Sequence, residues 1–162
     1  MFIVSIALLL IAGYVHGRKG YSHDASKRFE LMAVYLLAGY CGILMVVVSV
    51  WGMFNPEGAA GMLQTEPGSP FQDFFLIAYL GMALMAALSI WYRERYLIAN
   101  VVCWSVYWFG ATYLHLVEYG EAGVLSFDLI VNVLAAHTLV PVLLIILVGL
   151  SLRVVPVGEK DG

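Results

Sequence analysis

The chain has 162 residues, 62% of them hydrophobic and only 12% charged. Soluble domains carry about a quarter charged residues, so burial in a soluble core cannot explain the shortage. The net charge of −3 comes with no long basic cluster, which leaves nucleic-acid binding nothing to start from. The composition fits a single all-α domain, a polytopic transmembrane helix bundle with about five spans whose main partner is the lipid bilayer.

The first apolar run, residues 1–15, has neither the basic leader nor the small-x-small cleavage site of a signal peptide. It reads as a short spanning helix. The following loop holds Arg18, Lys19, Lys27 and Arg28, and its His16 and His23 are expected to be solvated. The second span covers residues 29–54. Gly39 and Gly42 give it a small patch, and Trp51 and Phe54 sit at its outer end as membrane-belt residues. Gly13 and Gly17 on the first helix, and Ala83 and Ala87 on the third, have the spacing of four that lets helices approach closely. These faces serve packing within the monomer or docking of another membrane subunit.

Residues 55–70 form the next loop. Ser69 predicts an N-cap, Pro70 the first helical position, and Asp73 a favourable charge at the positive end of the helix dipole. The third span is then 71–92. Arg93 and Arg95 lie in the turn to the fourth, 96–118, with Trp91, Tyr92 and Tyr96 as a belt beside them. On the fourth helix Asn100, Trp104, Trp108, Ala111, His115 and Glu118 share one stripe. His115 and Glu118, three apart, could bind a metal, relay a proton or simply hydrogen-bond. Trp104 and Trp108 are too deep for a belt and are expected to pack against neighbouring helices or lipid tails.

The fifth span is 128–152. Pro141 within it frees the carbonyl of His137 and predicts a kink. Along a regular helix His137 would lie about 13 Å below Asp128, while His115 lies about 5 Å below Glu118. That mismatch of about 9 Å argues against His115 and His137 as two axial ligands of one haem unless the two helices are strongly offset. A single-ligand haem, a chlorophyll-type pigment or a metal stays open; no cofactor at all is the plainer reading. Cys41 and Cys103 lie in apolar runs, outside any CxxC pair, and read as reduced packing residues. The seven methionines are scattered, which suits gap-filling better than copper binding. No Ser–His–Asp order, HExxH or nucleotide fingerprint is present.

All eight Lys and Arg fall between helices one and two, between three and four, or after five. The opposite side carries six acids, Glu57, Glu66, Asp73, Glu118, Glu121 and Asp128, and its loops have no Lys or Arg. Positive residues mark the cytoplasmic side. The expectation is an inner-membrane protein with its N-terminus outside and its C-terminus cytoplasmic.

Gly68-Ser69-Pro70-Phe71-Gln72, Gly110-Ala111-x-Tyr113-x-His115 with Glu118, and Leu139-x-Pro141 together resemble an uncharacterised family of small bacterial and archaeal integral membrane proteins. The family's usual Gly-His pair after helix two is Trp51-Gly52 here, and His137 replaces its usual acidic residue. The resemblance implies the fold and an outer-face set of Ser69, Gln72, Tyr113, His115 and Glu118, but no reaction. Two functions follow as expectations. One is a non-enzymatic accessory or structural subunit of a larger membrane complex. The alternative is a metal- or cofactor-binding membrane protein with a site at the outer ends of helices three to five, using His115, His137, Tyr113 and Gln72, with His115 and Glu118 as metal ligands. A transporter would need a polar path, and the inner halves of the helices are apolar.

Overall fold

The computed structural model describes residues 2–63, 65–121 and 137–153. These residues are helical, with no strand among them. In chain order they form α1 (Phe2–Gly20), α2 (Ala25–Leu36), a π-helical stretch (Leu37–Leu44), α3 (Met45–Phe54), α4 (Pro56–Leu63), α5 (Pro70–Leu88), α6 (Arg95–Glu121) and α7 (Leu139–Arg153). Among the described residues four stretches are long and apolar enough to cross a membrane: Ile3–Gly20, Ala25–Phe54, Pro70–Leu88 and Arg95–Val117. Leu139–Leu152 is apolar but shorter. The first nine residues expected for the fifth span, 128–136, lie outside the described residues.

Local chemistry explains the starts. The Asp24 side chain accepts the Lys27 amide at 3.0 Å and caps α2. Ser69 caps α5 by accepting the Gln72 amide at 3.2 Å; Pro70 follows and Asp73 lies in the first turn. Each cap satisfies a backbone donor that no helix can satisfy internally.

Several expectations change. α1 runs to Gly20, so His16 is helical, not in a loop, and its Nδ1 lies 2.9 Å from the Tyr35 hydroxyl. The loop 55–70 contains α4. The second span is not one α-helix, because Leu37–Leu44 takes i→i+5 hydrogen bonding. Pro141 is the third residue of α7, where its missing N–H removes one backbone bond. The irregularity sits just before it, as π-type bonding at 137 and 138.

The π-helical stretch is the centre of the core. Leu36, Leu37, Tyr40 and Cys41 are buried there among Ala83 and Ala86 of α5, Trp104 and Trp108 of α6, and Val140 and Leu144 of α7. Small residues set the approach of the chains. A Cβ on Gly13 would stand 2.9 Å from the Met32 Cα, and one on Gly42 would stand 2.7 Å from the Ala87 amide nitrogen. The faces at Gly13, Gly39 and Gly42 are thus used inside the monomer. Outside, Val4, Leu8, Phe74, Ile77, Val106 and Leu114 are all more than 60% exposed. Such a continuous apolar surface suits lipid and not water.

The basic segments meet at one end of the bundle. Gly17 of α1 packs on Arg28 of α2, Glu30 of α2 pairs with Arg93 after α5, and the Ser26 hydroxyl donates to the Ser151 carbonyl near the end of α7.

Candidate functional site

The stripe read on the fourth helix is the face that α6 turns inward. Asn100, Trp104 and Trp108 are buried, and Ala111 and His115 are half-buried. Trp104 and Trp108 pack as expected, Trp104 edge-on to Tyr79 at 5.5 Å and Trp108 against Tyr40 at 5.6 Å. Thr112 on the same face donates to the Trp108 carbonyl at 2.9 Å, and its hydroxyl lies 3.3 Å from that of Thr138.

Beyond Thr112 the two histidines meet. The rings of His115 and His137 stack with centroids 5.3 Å apart and planes 14° apart. Trp108 meets the His137 ring edge-on, also at 5.3 Å. This overturns the expected depth mismatch. That mismatch presumes Glu118 and Asp128 at one level, whereas α6 runs on past Glu118 to Glu121, and a rise per residue counted along one helix does not fix its height against another.

Stacking limits what the pair can do. At a centroid separation of 5.3 Å the rings are too close to stand on opposite sides of one haem, as two axial ligands must. One ring edge could still serve as a single ligand. Among the described residues no group of three or more His, Cys, Asp and Glu side chains is placed to hold a metal. Glu118 lies in α6, but its side chain is outside the described set. The His137 Nδ1 atom is buried without a hydrogen-bond partner among the described residues.

The remaining candidates lie elsewhere. Gln72 is fully buried and its amide is engaged at both ends: Oε1 accepts the Gly68 amide at 2.7 Å, and Nε2 donates to the Pro56 carbonyl at 2.8 Å. It clamps the 56–68 segment onto α5. Tyr113 is 67% exposed on the outer face of α6. Ser69 is occupied as a cap.

The outer face of α6 carries a second set that was not singled out in the sequence. Ala99, Cys103, Val106 and Gly110 are all exposed and follow at spacings of four, three and four, which keeps them on one narrow stripe. A Cβ on Gly110 would meet nothing within 4 Å. The signal for this stripe was available in the same helical periodicity, read on the opposite face.

A family model matches residues 1–156. The chain belongs to DUF6790, a family of unknown function. The match reaches well beyond the 68–141 region that carries the motif resemblance. No curated protein and no solved structure matches the chain.

Proposed function

We propose that this member of DUF6790 is a non-enzymatic integral membrane subunit, and that it docks on another membrane protein through the outer face of α6. The observation that carries the reading is the stripe that Gly110 continues. A mid-helix glycine costs about 1 kcal/mol relative to alanine. At Gly13 and Gly42 that cost is offset by a close approach within the monomer. At Gly110, as at Gly81 and Gly149, no described residue makes such an approach; Gly110 stands in line with the exposed small residues Ala99 and Cys103, and a second helix is the natural recipient of that face. The stripe Ala99, Cys103, Val106 and Gly110 supplies the small-residue surface that helices use in lipid, where apolar area alone drives little association. The end of the bundle that gathers the basic residues faces the cytoplasm, by the bias of Lys and Arg toward that side; the first helix therefore starts outside.

Cys103 makes the test direct, because it is exposed on the stripe while Cys41 is buried. A photoactivatable maleimide on Cys103 in native membranes should yield a discrete cross-linked product. Gly110→Leu should abolish it and leave the protein itself intact. A monodisperse monomer that purifies in mild detergent with no cross-link in membranes would overturn the reading.

A further inference from the structure

The end of the bundle that carries the cations also holds an open cleft of about 430 Å³ between the start of α2 and the turn after α5. Its wall includes Tyr21, Lys27, Glu30, Trp91 and Arg93. Glu30 organises the two cations. Its Oε2 accepts from the Lys27 Nζ at 2.9 Å, and its Oε1 lies 3.4 Å from the Arg93 Nη1. The carboxylate side chain is only 14% exposed, whereas Lys27 is 49% and Arg93 33% exposed. One acid is therefore tucked beneath two bases that both reach solvent. The guanidinium is held further by the Ile90 carbonyl, which accepts from Nε at 3.3 Å and Nη2 at 3.2 Å. An ammonium has three N–H groups and a guanidinium five, so each keeps donors beyond these bonds. Glu94, beside Arg93, adopts φ 55°, a left-handed conformation unfavourable for a residue with a Cβ. Trp91, 70% exposed, and Tyr21, 45% exposed, stand at the rim, as aromatic side chains do at the level of lipid headgroups.

We infer that this cleft binds a phosphate group, with Lys27 and Arg93 donating to its oxygens and Trp91 and Tyr21 against the remainder of the ligand. The chemistry is shared by an anionic phospholipid headgroup and by free inorganic phosphate. The volume is that of a small-ligand site, and basic clefts between helices at this membrane face suit anionic headgroups. The inference goes beyond the docking reading and does not depend on it.

The test uses the full-length protein, delipidated in detergent, with native mass spectrometry as readout. One arm adds phosphatidylglycerol or phosphatidylcholine of equal chain length; a second adds inorganic phosphate. One bound phosphatidylglycerol, preferred several-fold over phosphatidylcholine, identifies a lipid headgroup. Retained inorganic phosphate identifies the free anion. Lys27→Gln and Arg93→Gln should each weaken binding about fivefold in whichever arm binds. Arg18→Gln together with Lys19→Gln removes charge from the same end outside the cleft and should leave binding unchanged. Lys27 is half-exposed, so its variant keeps the fold even if that of Arg93 does not. Equal losses in the Arg18/Lys19 and Lys27 variants would reduce the site to a diffuse positive surface and overturn the inference. Retention of neither probe would do the same.

Discussion

At the scale of single residues, two glycines on different helices differ in what a side chain would meet. A methyl on Gly42 would meet the Ala87 backbone amide at 2.7 Å and its Cα at 2.9 Å, and backbone cannot rotate aside. Gly42→Ala should therefore destabilise the protein by about 1–3 kcal/mol, the usual range for an overpacked contact. Gly110→Ala meets open space and should stabilise α6 by about 0.5–1 kcal/mol. Thermal unfolding in detergent of the two variants side by side checks both signs. The histidine pair supplies a further prediction. Phe at 137 keeps the ring contacts to Trp108 and His115 while removing a buried Nδ1 that no described residue satisfies. Replacing an unsatisfied polar group by an apolar one of similar shape is neutral or stabilising. His137→Phe should hold or raise the melting temperature. A loss of bound metal or of a visible absorption band in that variant would instead reveal His137 as a ligand. The partnership of His115 and His137 could not be read from the sequence, because it depends on the relative height of two helices, and counting along one chain does not measure that.

At the scale of elements, what was legible was local. Ser69, Pro70 and Asp73 announce the start of α5 because a cap is decided within four residues. The inward face of α6 was legible because Asn100, Trp104 and Trp108 repeat with the helical period. Two features were not. The π-helical stretch is apolar on nearly every side and buried on most of them, so no period distinguishes it from an α-helix. α4 is only eight residues of small and mixed character, too short for a periodic signal. Gln72 shows how a motif residue can be read for chemistry when its role is structural. Its amide joins Gly68, which has a left-handed φ of 68°, to the Pro56 carbonyl sixteen residues earlier. Gln72→Ala leaves the Gly68 amide and the Pro56 carbonyl without these partners. The expected loss is about 2–3 kcal/mol, from the unmet hydrogen-bonding groups. Faster proteolysis between residues 56 and 68, with α5 still protected, would locate the effect in that segment.

At the scale of the whole molecule, the charge pattern and the packing are two separate routes to one arrangement. The sequence places every Lys and Arg in segments that share a side only if the number of crossings between them is even. The packing joins those segments through Gly17 with Arg28, Glu30 with Arg93, and Ser26 with Ser151. No charge rule enters the packing, and no contact enters the charge count. What neither route supplies is which compartment each end faces; that rests on the asymmetry of Lys and Arg. Single cysteines decide it on a Cys103→Ser background, since Cys41 is buried. Glu66 is exposed in the acidic loop before α5, and Arg95 is exposed at the start of α6. A membrane-impermeant maleimide applied to intact cells should label Glu66→Cys at once, and Arg95→Cys only after permeabilisation. The reverse order would invert the molecule and put the phosphate cleft outside. Labelling of both positions in intact cells would mean that the two ends do not lie on opposite sides of a bilayer, and the lipid-facing assignment of the apolar surface would go with it.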